Sequence, residues 1–283
     1  MDTTLAGKTY IVTGANTGIG KVTAATLAAR GAHVILACRN RAKTEPVIAE
    51  IVATTQNKQV ELVELDLGDL AAVRKTAEAL IARELPIHGL VNNAGLAGQR
   101  GQTRDGFELA FGTNHLGPYL FTRLLLERIR ASAPARIVNV ASASHYAAKR
   151  IDWDALTQPT RSVTGLREYS VSKLANVLFT KELARKLAGT TVTTYAIHPG
   201  TVATDVWRRI PSFLQWPMRL FMLTPERGAV STLRCATDPA LANETGNYYT
   251  ADGSQKRPSR VSQDEALAAE LWRRSAEWVG LPA

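Results

Sequence analysis

Lys8-Thr9-Tyr10-Ile11-Val12-Thr13-Gly14-Ala15-Asn16-Thr17-Gly18-Ile19-Gly20 is the stretch on which the reading of this chain turns. Residues 8–13 form a short β-prone run that stops at a glycine, as a buried strand does. From 18 to 30 the apolar residues recur at helical spacing, and Gly31 ends the run. A strand that passes through a glycine turn straight into a helix begins a βαβ unit. Glycines at 14, 18 and 20 let the backbone turn tightly and approach a pyrophosphate, while the helix N-terminus offers N–H groups and the positive end of its dipole. The spacing is G-x-x-x-G-x-G, not the commoner G-x-G-x-x-G. Glycines also end strands for simpler reasons. Its place after the first strand and at the mouth of the first helix marks Gly14, Asn16, Thr17, Gly18, Ile19 and Gly20 as a nucleotide site.

Working outward, strand and helix alternate along the chain. Strands are expected at 33–37, 60–65, 88–91, 135–141, 191–198 and 247–250. Helices are expected near 41–55, from a cap at Asp69 to about Glu84, over 104–132 and 168–188, in pieces over 205–237, and over 263–278. Such alternation implies an α/β fold, a Rossmann-type doubly wound parallel sheet with helices on both faces. Its ligand crevice lies beyond the strand C-termini. No repeat, low-complexity tract or rich linker divides the chain, so residues 1–283 are expected to form one domain.

Composition removes other classes. With 45% apolar residues in 283, the chain can bury one large core without staples. No apolar run of membrane-spanning length occurs, and Met1–Lys8 lacks the pattern of a secretory signal. Two cysteines, Cys38 and Cys235, build no disulfide framework, and a cytoplasmic location is expected. The five histidines and two cysteines never fall at ligand spacing, so no metal site is expected. The net charge is +9, but no dense basic run or recognition motif accompanies it, so nucleic acid is not an expected partner.

After the second strand comes Cys38-Arg39-Asn40. An acid at that place would hold free ribose hydroxyls. Arg39 can instead fork onto a 2′-phosphate, with Asn40 and Lys43 beside it. Asp66-Leu67, after the third strand, can bound an adenine pocket. Of seven tyrosines only Tyr169 is followed four residues later by a lysine, Lys173, on the same helix face. A phenol near pKa 10 is a poor proton donor and acceptor at neutral pH. An ammonium about 5 Å away would bring it down by about two pH units. Asn92-Asn93-Ala94-Gly95, Val140-Ala141-Ser142 and His198-Pro199-Gly200 each follow a strand, where the crevice belongs.

Together Thr13–Gly20, Asn92–Gly95, Asn114, Ser142, Tyr169, Lys173 and Pro199-Gly200 resemble the short-chain dehydrogenase/reductase family over nearly the whole chain. Arg150–Trp153, Ser172–Asn176, His198–Val202 and the long gap from Ser142 to Tyr169 are similar to its retinol-dehydrogenase-like branch, here without the apolar anchor that membrane-bound members carry before the first strand. The resemblance implies hydride transfer between NADP(H) and a carbonyl or alcohol carbon. It implies that Tyr169 gives its proton to the carbonyl oxygen and Ser142 orients that oxygen. Lys173 lowers the Tyr169 pKa and holds the nicotinamide ribose, and Asn114 anchors a water. Asn93, Ala94, Gly95, Val140, Pro199, Gly200, Val202 and Thr204 complete the implied cofactor contacts.

Eleven of the eighteen residues Val206–Leu223 are large and apolar, with Pro211 and Pro217 breaking the helix. This segment, about 205–223, is expected to be a mobile lid over an apolar aldehyde or ketone, with Trp207 and Phe213 touching substrate alongside Ser142, His145, Tyr146 and Tyr169. Its arginines beside aromatics also suit weak peripheral membrane contact. A homodimer through the helices near 118–132 and 168–188 is the family's common arrangement. The competing functional class is a catalytically silent NADP-binding redox sensor or scaffold, which the presence of all four of Asn114, Ser142, Tyr169 and Lys173 disfavours.

Overall fold

A computed structural model describes residues 4–201 and 223–283. Seven parallel strands form one sheet in the order β3-β2-β1-β4-β5-β6-β7. They are β1 (Thr9–Thr13), β2 (His33–Cys38), β3 (Val60–Glu64), β4 (Gly89–Asn92), β5 (Ala135–Val140), β6 (Val192–Ile197) and β7 (Asn247–Tyr249). Helices α1 (Gly18–Ala29) and α2 (Arg41–Thr55) cover one face with α6 (Pro225–Thr237). The other face carries α3 (Leu70–Ala82), α4 (Gly117–Ala131), α5 (Leu166–Lys186) and α7 (Glu265–Trp278).

The sequence explains this layering locally. In β1 every residue is buried; Ile11 packs into the α3–α5 core, and Tyr10 and Val12 into the α1–α2 core. A strand buried on both faces needs that continuous apolar run. Helix starts are fixed by side-chain caps: Asn40 accepts from the Lys43 N–H, Asp69 from Ala72 and Asp264 from Leu267. Gly31, at φ 85°, supplies the left-handed stop after α1.

The chain leaves β1 for β2 on one side of the sheet, while β4 lies on its other side. The helices that follow them, α1 and α4, lie on opposite faces, and the crevice opens beyond the strand ends where the chain directions part.

One helix boundary differs from expectation. The helix expected from 104 starts at Leu109, as a single turn to Phe111, passes through a π-helical turn at Gly112–Leu116 and then becomes α4. Residues 102–108 fold instead as a tight antiparallel bend, Gln102 opposite Glu108, with Gly106 at φ 84°. Buried Glu108 caps the Phe111 N–H and binds the Thr160 hydroxyl, which makes it the start signal of the helix.

Helix α7 lies across α4 and α5. Its Trp272 stacks on Phe179 of α5 at 5.9 Å and meets Tyr119 of α4 edge-on at 5.2 Å. Among the described residues no helix is long and apolar enough to cross a membrane.

Candidate active site

A cleft of about 660 Å³ opens at the C-terminal ends of β1 to β6. At its centre is the turn after β1. Gly14 has φ 63°, and a Cβ there would lie 2.9 Å from Ala94. A Cβ on Gly20 would lie 2.5 Å from the Asn93 amide and the Gly14 carbonyl. Only glycine allows this close approach of turn and β4 loop. The Thr13 hydroxyl accepts from the Asn93 and Ala94 N–H groups, and the Asn93 amide donates back to the Thr13 carbonyl at 2.8 Å. The first turn of α1, whose N–H groups have no intrahelical acceptor, thus faces the cleft through Gly18, Ile19 and Gly20. This cradle of backbone donors fits a dinucleotide's diphosphate.

At one end stand Arg39, Asn40, Lys43, Asp66 and Leu67. Arg39 is 70% exposed and only 4.0 Å from Asp66, whose other oxygen accepts from the Gly68 N–H. Arg41, by contrast, is engaged by Glu64 at 2.6 Å and Glu45 at 3.2 Å. The guanidinium at the rim with the least claim on it is therefore Arg39.

At the other end Ser142, Tyr169 and Lys173 come together with Val140 and Gly95. The Ser142 hydroxyl accepts from the Ser144 N–H at 3.1 Å and donates to the Ser144 hydroxyl at 3.2 Å. Tyr169 keeps part of its surface open, yet burial dominates and pushes its phenol up, with hydrogen bonding to Ser142 pulling the other way. Lys173 is 4% exposed. Its Nζ lies 5.6 Å from the Tyr169 ring centroid and donates to the Val140 carbonyl at 2.8 Å, and burial pulls it down to about 8. The expected lowering of Tyr169 by Lys173 does not hold in the folded site: loss of water raises the phenol, and the opposing pull comes from Ser142.

Asn114 lies beside this trio without lining the cleft. Its carbonyl accepts from the Leu96 N–H, and its amide donates to the Leu96 carbonyl and to Ser172. Both amide hydrogens are thus committed to fixing the β4 loop against α5. A Cβ on Gly95 would come 3.2 Å from Asn114 and 3.5 Å from Lys173, which accounts for the glycine.

His145 and Tyr146, expected at the substrate, do not line the cleft. The 3-10 turn Ala143–Tyr146 carries them back toward β7, where His145 is fully buried and the Tyr146 hydroxyl donates to the Arg257 carbonyl. Pro199 and Gly200 line the cleft. Val202, Thr204, Trp207 and Phe213, and the lid but for Leu223, lie outside the described residues.

Comparison with known proteins agrees with this geometry. The profile of a family described as enoyl-(acyl carrier protein) reductase matches residues 14–237. Human (Homo sapiens) retinol dehydrogenase 11 is 46% identical over 282 residues, covering 98% of this chain and 87% of that protein. A solved protein from Mycobacterium paratuberculosis superposes at a TM-score of 0.78 with 35% identity, covering 98% and 96% of the two chains. The 3-ketoacyl-(acyl-carrier-protein) reductase of Brucella melitensis, solved with NADH, superposes at 0.67 with 26% identity, covering 89% and 99%. This chain belongs to the short-chain dehydrogenase/reductase family.

As a short-chain dehydrogenase/reductase it is one of a family of oxidoreductases that use nicotinamide cofactors. Several cleft residues are not singled out by the sequence, Leu96, Gln99 and Ser144 among them, whereas His198 and Thr201 line the cleft in the strand-end segment expected there. Ser144 had a signal, since it shares the strand-end segment with Ser142. Leu96 and Gln99 had none, because only the fold brings their loop beside α5. His198 has its Nδ1 buried without a hydrogen-bond partner among the described residues, and burial, with His145 and Lys256 nearby, pulls it down to about 4.

Proposed function

We propose that this short-chain dehydrogenase/reductase uses NADP(H) to interconvert an apolar alcohol and its aldehyde or ketone. The observation that carries the reading is one continuous cleft with Ser142, Tyr169 and Lys173 at one end and Arg39 and Lys43 at the other. When bound there, the nicotinamide supplies or accepts the hydride. In the reducing direction Tyr169 holds a proton at neutral pH, because burial raises its phenol, and so can deliver it to the carbonyl oxygen as negative charge develops. Ser142 Oγ, fixed by the Ser144 N–H, orients that oxygen. Lys173, anchored on the Val140 carbonyl, is placed to hold ribose and to pass on a proton.

Family membership leaves the choice of dinucleotide open, since the Brucella relative was solved with NADH. Support for the 2′-phosphate comes from Arg39, its 4.0 Å distance from Asp66, and the α2 N-terminus capped by Asn40 beside Lys43. Support for an apolar substrate comes from the names of the retinol dehydrogenases and from the apolar residues of 206–223.

The test is Tyr169→Phe. NADPH oxidation with an aldehyde panel should fall to background while NADPH affinity stays within about threefold, since the ring is kept and only a hydroxyl is lost. Near-native turnover would overturn the assignment.

A further inference from the structure

We propose that His145 is a positioning residue for Ser142, latching the serine's turn to the C-terminal segment Arg257–Ser259; this rests on the catalytic reading of Ser142 given above. The ring's hydrogen bonds define its state. Nε2 lies 3.1 Å from the Ser259 nitrogen, whose N–H can only donate, so Nε2 carries the lone pair. The proton therefore sits on Nδ1, which donates to the Ser142 carbonyl at 2.6 Å. The backbone N–H of His145 donates to the same carbonyl at 3.1 Å.

Packing holds the ring in this setting. It lies 4.0 Å from the Tyr146 ring and 4.9 Å from Tyr248, and none of it is exposed. Tyr146 adds a second tie to the same segment through its hydroxyl on the Arg257 carbonyl at 2.7 Å. The Ser142 hydroxyl is aimed by the Ser144 N–H within the same four-residue turn. His145 thus fixes the turn that fixes the substrate-facing hydroxyl, without reaching the cleft itself.

The latch requires a neutral ring. A proton on Nε2 would face the Ser259 N–H, donor against donor, in a site closed to water. The titratable groups facing the ring are Tyr146 and Tyr248 by contact and His198 and Lys256 through space. None of these offers a negative charge at neutral pH, and burial favours the uncharged form.

His145→Phe, His145→Asn, His145→Gln and Ser142→Ala decide the matter, each assayed with NADPH and one aldehyde. Asparagine places its amide nitrogen near Nδ1 and keeps the bond to Ser142. Glutamine reaches the Nε2 position and keeps only the Ser259 bond. The phenylalanine variant should lose at least about tenfold in kcat, the worth of one buried hydrogen bond, with KM and NADPH affinity within about twofold. Asparagine should restore most of that loss and glutamine should not. The acid limb of the wild-type kcat profile should flatten in His145→Asn.

Unchanged kcat in His145→Phe beside an inactive Ser142→Ala overturns the positioning role, and so does a parallel loss of kcat, NADPH affinity and thermal stability. Should phenylalanine prevent folding, equal kcat in the asparagine and glutamine variants overturns it. A fully active Ser142→Ala instead overturns the catalytic reading on which it stands.

Discussion

Replacing Lys173 with methionine should make the protein more stable and inactive at once. Lys173 is buried, and its ammonium is pulled from 10.5 to about 8 by loss of water. A gap of about 2.5 pH units at about 1.36 kcal/mol each is a penalty of about 3 kcal/mol for keeping the charge inside. The sign follows from proton binding. Below pH about 8 both folded and unfolded lysines are protonated, and the full penalty is present. Between about 8 and 10.5 the unfolded chain binds more protons than the folded one, so stability rises with pH until the penalty is gone. Methionine fills the space without charge. The Val140 carbonyl is not orphaned by the change, because Asn176 still donates to it at 3.2 Å. Lys173→Met should therefore gain about 1–3 kcal/mol near pH 7, the lower figure allowing for the lost bond to Val140. The assay is urea unfolding followed by tryptophan fluorescence near pH 7, 9 and 10.5, without added nucleotide. The advantage of the variant should shrink across that series. A variant less stable near neutrality, or a difference that ignores pH, would show that burial does not govern this lysine.

Arg39→Asp should shift the ratio of catalytic efficiencies with NADPH and NADH by about ten- to a hundredfold toward NADH, the worth of one charge-assisted hydrogen bond; an unchanged ratio places the 2′-phosphate elsewhere. In a homologous series of straight-chain aldehydes, each added methylene should contribute about 0.8 kcal/mol to kcat/KM until the pocket fills, and a preference for small polar carbonyls would refute an apolar site. Trp272→Ala should cost about 3–5 kcal/mol in chemical unfolding, because Phe179 and Tyr119 lose the ring that covers them; size-exclusion chromatography should show self-association through the uncovered faces.

The parallel sheet is legible because its inner strands are buried on both faces and read as short apolar runs, as in His33–Cys38, whereas edge strand β3 alternates with Glu61 and Glu64. Helix starts were legible where a short polar side chain caps them, and Asp69 does so as expected. The start at Leu109 is not legible from helical spacing, which runs on from further along, although Asp105-Gly106 is itself a turn signal; the capping acid is Glu108. In the site, the glycines and Ser142 are readable because each follows a strand, and Tyr169 and Lys173 because four residues put them on one face of a helix. The direction of the Tyr169 shift was not. Estimating it took a charge at a distance in a polar medium, whereas burial of both groups dominates. Nor was the inward turn of His145 readable, since it depends on Ser259, far away in sequence.

The largest gap between pattern and packing concerns α4 and α5. Their apolar spacing says that each has a face to bury. Part of that face is covered within the chain itself. Trp272 of α7 lies on Phe179 and against Tyr119, with Arg123 over its ring at 4.6 Å and Lys186 at 4.9 Å. His115, buried beside these rings, reaches Ser275 of the same helix at 3.1 Å. Periodicity records that a face is apolar but carries no information about which partner meets it. A subunit approaching α4 and α5 through these residues must first displace α7 and the cations seated on its tryptophan. Contacts made around the covered rings, or on another surface, carry no such cost.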